Sequence, residues 1–251
     1  MKYIKILLPL FVLTLLSSCT FTENIYINDD GTGKFSLEMD GSAIMAMMPQ
    51  DSLKNEKAMD STFSFKSVFE EKKDSIAKLP LEQQNRLKKL ENFNMRMTML
   101  PETRKFMFTM FTDFKSVADL QDAMSTMNEI QNIKGKERDS NNPISALGSN
   151  EFGNNNSSLS YSYDGKKFTR KAVVVKKDLA TQTNDSVRES LEMIYASSTY
   201  VIKYHFPKAV KKVSNTTAQY SEDRKTITIE YPFKEYIDTP DKLNFEVEFE
   251  K

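Results

Sequence analysis

The sequence predicts an α+β domain, an antiparallel sheet built from β-hairpins with helices packed on one face. Three features carry this. Period-2 apolar runs recur in pairs around turn residues, at 25–39, 93–110, 161–168 and 218–231. Stretches with helical spacing lie between them, at 65–90 and 185–194. The final run, Leu243, Phe245, Val247 and Phe249, alternates without a miss.

Taken in order, Ile25 and Ile27 alternate with polar neighbours, Asp29-Asp30-Gly31-Thr32-Gly33 turns the chain, and Phe35, Leu37 and Met39 alternate back. Residues 42–48 form a short apolar helix ended by Pro49, and 50–61 read as a polar loop. Two largely solvated helices follow, 65–78 and 81–90, split by Pro80. Phe93, Met95, Met97 and Met99 make a strand with one buried face, turned at Pro101–Arg104 onto Phe106, Phe108 and Met110. Met107 and Phe111 make that second strand apolar on both faces, as a central or covered strand is. Ser116 caps a helix carrying Val117, Leu120, Met124 and Met127.

The stretch at about 134–158 is rich in Asn, Ser and Gly and reads as a mobile loop, either dividing two subdomains or inserted in one sheet. Asp164-Gly165 predicts a type I′ turn in the next hairpin. Asp185 or Ser186 starts a helix with Val187, Leu191 and Ile194 inward. Tyr200, Ile202, Tyr204 and Phe206 then alternate up to Pro207, and Ser221–Arg224 turns a third hairpin.

The first eighteen residues have a different character. Lys2 and Lys5 precede an apolar run, Ile6 to Leu16, broken only by Pro9 and Thr14, and Ser17 and Ser18 follow. That order is a secretory signal, and the run is about half the roughly 20 residues of a membrane-spanning helix. Leu16-Ser17-Ser18-Cys19 resembles the bacterial lipobox. In that family the Cys thiol receives a diacylglyceryl group, the signal is cut before it, and the new amino group is acylated. The resemblance implies a signal at 1–18, an exported domain at 19–251, and palmitate-type lipid at Cys19 as its membrane anchor. Thr20 stands where enterobacterial lipoproteins retained in the inner membrane carry Asp, which implies the outer membrane. Thr20–Asn24 holds one acid, unlike the acidic cluster of surface-exported lipoproteins, so the domain is expected to face the periplasm.

Without the signal, 251 − 18 = 233 residues remain, enough to bury a core unaided by metals. Hydrophobic residues are 39% and charged residues 28%, a soluble globular balance. Lys and Arg total 35, as do Asp and Glu; losing Lys2 and Lys5 gives 33 − 35 = −2. Nothing in that balance favours nucleic acid, which calls for a concentrated basic surface. With one cysteine in the chain, no internal disulfide can form.

The run Tyr200 to Phe249 has a recognisable order: a tyrosine-rich strand ending at Phe206-Pro207, a bend with Val210 and Val213, a strand at Ile227-Thr228-Ile229, and a closing strand. With the N-terminal Asp-Gly hairpin it resembles the LppM-type envelope lipoproteins of mycobacteria. The resemblance implies an α/β domain likened to lipid-binding folds and a link to envelope glycolipids. The stretches at 65–90 and 134–158 have no counterpart, and no binding residue is carried over.

No catalytic residue is identified. His205 is the single histidine, and alternation places it on a polar face with Lys203. No GxSxG, HExxH or Walker-type pattern occurs, and Glu70-Glu71 lies in a solvated helix. Asp29-Asp30-Gly31 fails the calcium-loop frame, which would put Tyr26 at its first ligand position. The 14 methionines are the unusual feature. Met95, Met97 and Met99 on one strand face could offer soft sulfur to Cu(I), but alternate methionines are also what a core face looks like. A third reading is a pliable apolar groove, and these three are the candidate ligand-binding face. The expectation is therefore a non-enzymatic envelope lipoprotein without cofactor or metal, binding an apolar ligand or an envelope protein. A structural assembly lipoprotein and an uncharacterised periplasmic hydrolase are the alternatives.

Overall fold

The computed structural model describes residues 19–54, 56–120, 157–174 and 195–250. The signal expected at 1–18, Met124 and Met127, nearly all of the 134–158 stretch and the helix expected at 185–194 lie outside the described residues.

The described residues begin with a hairpin of β1 (Thr20–Ile27) and β2 (Gly33–Asp40). Its turn is held by the Asp30 carboxylate, which accepts from the Thr32 backbone N–H at 3.0 Å and the Thr32 hydroxyl at 2.7 Å. Gly31 takes the left-handed φ of 82° that such a turn demands. Short helices α1 (Ser42–Met47) and α2 (Gln50–Leu53) lead to β3 (Met59–Ser64), and α3 (Phe65–Glu71), α4 (Lys73–Ile76) and α5 (Leu81–Lys89) follow. Then come β4 (Asn94–Leu100) and β5 (Lys105–Phe114). The later chain supplies β6 (Ser157–Tyr163), β7 (Lys167–Val174), β8 (Thr199–His205), β9 (Val210–Val213), β10 (Gln219–Tyr220), β11 (Thr226–Pro232), α6 (Phe233–Asp238) and β12 (Phe245–Phe249).

The class is α+β as expected, but the described strands form two sheets rather than one. An eight-stranded sheet has the order β10-β11-β8-β1-β2-β5-β4-β3, and a four-stranded sheet the order β6-β7-β12-β9. Neighbours run antiparallel except β1 and β8, which pair in parallel with Thr20 opposite Thr199 and Tyr26 opposite His205. Alternation reports a strand's faces and not its partner, so neither the second sheet nor the parallel pair was visible in it.

The inner face of the large sheet is covered in two ways. Over β1, β8 and β11 lies the small sheet. Phe168 sits at that junction, with ring centres 5.3 Å from Tyr204 and 5.4 Å from Phe206. Over the other half, buried Phe65, Leu87, Leu90 and Phe93 join the same core as Phe35, Leu37, Phe108 and Met110. Phe93 meets Phe35 edge-on at 6.1 Å.

Three local expectations need correction. The polar loop assigned to 50–61 contains α2 and most of β3. That strand is an edge whose inward positions include Ser61, which masks the alternation. Its outward Asp60 takes a two-pronged hydrogen bond from Arg96, at 2.9 and 2.8 Å. The helix expected over 65–78 breaks at Lys72 into α3 and α4. Of the helix expected from Ser116, Val117–Leu120 is described, as a 3₁₀ turn, and the rest lies outside the described residues. At Asp164-Gly165 only the glycine has positive φ, 79°, so the turn is not type I′, which needs two such residues. Instead the Asp164 carboxylate accepts from the backbone N–H groups of Lys166 and Lys167 at 2.8 and 2.7 Å.

Candidate functional site

Strand alternation places Phe21, Glu23, Ile25 and Ile27 of β1 inward. One of those four is an acid. On β7 the inward set is Phe168, Arg170 and Ala172, and one of those three is a base. The two sheets bring them together. Glu23 is 0% exposed and Arg170 1%, and the Arg170 Nη2 lies 3.2 Å from the Glu23 Oε2.

Around the pair the hydrogen bonding is dense. Tyr161 of β6 donates its hydroxyl to Glu23 Oε1 at 2.6 Å. Tyr200 and Tyr204 of β8 donate to Oε2 and Oε1. Arg170 turns a second arm, Nη1, to the Leu243 carbonyl at 3.1 Å. Donors thus reach one carboxylate from both sheets, which is the condition under which a buried charge is tolerated. Burial pushes the Glu23 carboxyl up, but the Arg170 charge and the hydrogen bonds from Arg170, Tyr161 and Tyr200 outweigh it and hold the group below the usual carboxylate range. Burial, with the Glu23 charge next, drives all three tyrosine hydroxyls well above their ordinary value. The chemistry this arrangement supports is cohesion: a fixed anion whose lone pairs are occupied by the protein itself, bolting one sheet to the other.

The outer face of the large sheet differs. Thr22, Asn24, Tyr26, Glu38, Val201, Lys203 and Thr228 line a shallow concavity of about 500 Å³ on it. Asn24 donates to Ser36 Oγ and Glu38 Oε1, at 3.3 and 3.2 Å, so the polar floor is cross-linked within itself. Tyr26, 47% exposed, stacks flat on His205 with ring centres 3.8 Å apart. His205 lies on the polar face with Lys203, as alternation placed it, and its Nδ1 is 2.9 Å from the Thr226 hydroxyl. Partial burial and the nearby Lys203 lower its pKa, so the ring is neutral at pH 7.

Met95 and Met97 are each 1% exposed and pair in register with Met110 and Phe108 of β5. Met99, opposite Phe106, is half-buried. The two inner sulfurs therefore sit in the core. No group of three or more His, Cys, Asp or Glu side chains positioned for a metal occurs among the described residues.

Cys19 directly precedes β1 with no spacer. Its carbonyl accepts from the Thr199 N–H at 3.0 Å, extending the β1–β8 pairing by one bond, and its side chain is 2% exposed.

Sequence reasoning missed Glu23 and Arg170. The signal was there: continuing the Ile25–Ile27 alternation two residues upstream lands on an acid, and continuing from Phe168 lands on a base.

No family model matches the chain, and no curated protein does. Among solved structures, the NMR structure of the folded domain of LppM from Mycobacterium tuberculosis is similar over 92% of this chain and 88% of its own, with 8% identity and a TM-score of 0.38. At that score and identity neither a residue nor an activity is carried over. Among the described residues no helix is long and apolar enough to cross a membrane.

Proposed function

We propose that this chain is a lipid-anchored protein of the bacterial cell envelope, a non-enzymatic binding module held at the bilayer by Cys19. The observation that carries the reading is the sequence Leu16-Ser17-Ser18-Cys19 at the end of an apolar run, continuing at once into β1, an interior strand of the large sheet. Two or three acyl chains, at about 0.8 kcal/mol per buried methylene, make such anchoring stable. The outer membrane, with the domain in the periplasm, is the location the residues after Cys19 favour.

Within the binding half of the proposal, an envelope protein partner is favoured over an apolar ligand. Met95 and Met97 are packed, whereas Tyr26 stands on an open polar sheet face, its ring stacked on His205. Tyrosine is enriched among the residues that carry the binding energy of protein interfaces.

Both halves are testable in cells. Cys19→Ser loses the palmitate label and keeps residues 1–18, so it runs larger than the wild-type product. A labelled, shortened Cys19→Ser product contradicts the anchor. A photo-cross-linking side chain at Tyr26 captures one dominant envelope protein, and the same group at exposed Glu222 does not. Equal, diffuse capture at both positions removes the partner reading.

A further inference from the structure

We infer that one end of the domain, carried by α1 and the turn at Pro101–Thr103, lies against the same bilayer that takes the Cys19 lipid. The inference rests on the anchor proposed above and adds an orientation and a contact surface.

The register identifies the end. Thr20, next to Cys19, is opposite Asp40 of β2 and Thr199 of β8. Asp40 is opposite Met107 of β5, and Met107 opposite Thr98 of β4. The connections leaving this row include the segment after Gly41, which holds α1 and α2, the Pro101–Thr103 turn, and α6, which follows Pro232 opposite Thr199. The first two are tied to each other. Gly41 N–H donates to the Phe106 carbonyl at 3.0 Å, Phe106 N–H to Ser42 Oγ at 3.2 Å, and Arg104 Nη1 to the Ala46 carbonyl at 2.7 Å. The turns at Asn28–Thr32 and Ser221–Lys225 are at the other end, because β1 and β8 both run toward them.

Distance then does the work. β5 is two strands from β1, and strands are spaced about 4.8 Å apart, so the start of β5 is roughly 10 Å to the side of the anchor. With no spacer between Cys19 and β1, the anchor holds that whole row at the headgroup level, and apolar groups enter such an interface to about 5–10 Å. This end presents suitable groups. Ala43 and Met45 of α1 pack inward, while Met48, just past its C-terminus, is 39% exposed and Ala46 is exposed. A hydrophobic side chain facing water at an end tethered to lipid has an apolar phase within reach. The occupant is therefore the bilayer carrying the anchor.

The test uses the full lipidated protein in neutral phosphatidylcholine vesicles. The Cys19 sulfur is blocked by its thioether, so a polarity-sensitive fluorophore reacts only with an introduced thiol. Met48→Cys shifts to blue emission on the vesicles and loses quenching by aqueous iodide, and Asp30→Cys, at the far turn, does neither. Glu102→Cys, on the Pro101–Thr103 turn, repeats the Met48 result should the first variant fold poorly. Equal iodide quenching at positions 48, 102 and 30, with intact mass confirming lipid on Cys19, overturns the orientation while leaving the anchor standing. A mass showing unmodified Cys19 overturns the anchor, and the orientation with it.

Discussion

Glu23→Leu leaves little folded protein. The substitution removes the counter-charge of a guanidinium that is 1% exposed and the acceptor of three buried tyrosine hydroxyls. Breaking a buried ion pair from one side costs about 3–5 kcal/mol, and each orphaned hydroxyl adds roughly 1–3 kcal/mol, not fully additively. A loss of this order consumes most of an ordinary stability of about 5–15 kcal/mol. The melting temperature falls by more than about 10 °C, at roughly 2–4 °C per kcal/mol for a domain of this size. The double variant Glu23→Leu, Arg170→Met recovers much of the loss, because no unpaired charge remains buried. Thermal melts followed by circular dichroism read this directly. A single variant melting within about 2 °C of wild type would remove the pair from any role in holding the sheets together.

Alkaline solution attacks the same cluster from the other side. Tyr161, Tyr200 and Tyr204 ionise well above the ordinary value of 10.0 when folded, first because burial disfavours the phenolate and second because Glu23 is already negative. A raised folded pKa contributes stability that is fully present below the unfolded value and is lost as pH rises toward the folded one. Above pH 10 each buried tyrosine costs about 1.4 kcal/mol per pH unit, so the three together cost roughly 4 kcal/mol per unit. The expected result is cooperative unfolding within roughly two pH units above 10, with tyrosinate absorbance rising in the same transition. Tyr204→Phe removes one titrating group and makes the pH dependence shallower. Acid behaves differently. Glu23 has a lowered folded pKa, so its contribution is intact at pH 5 and fades only as pH falls through that lowered value. Full tyrosinate absorbance with the circular dichroism unchanged would show that these hydroxyls are not shut inside the fold.

Much of the fold was legible because its strands carry their burial in their spelling. β8, β11 and β12 alternate cleanly, each having one face in the core and one outside it. β3 was not legible, since an edge strand with Ser61 inward and Asp60 and Thr62 outward has too little apolar content to register. The pairing of β1 with β8 joins segments far apart in the chain, and nothing local to either encodes it. The site was half legible. The alternation of Tyr200 and Tyr204 along one strand is legible, yet what they point at is not while β1 is begun at Ile25 rather than at Thr20. A charged residue at an inward position of one strand is a question that a second strand must answer, and Arg170 answers Glu23. The methionines illustrate the converse. Met95 and Met97 stood out as unusual, and they fill the core beside Phe108 and Met110.

The anchor at Cys19 is tested most directly by the intact mass and N-terminal fragment of the protein extracted from membranes. The account predicts a chain that starts at Cys19 and carries diacylglyceryl on its sulfur. A chain that starts elsewhere, or whose Cys19 is a plain thiol, would contradict it.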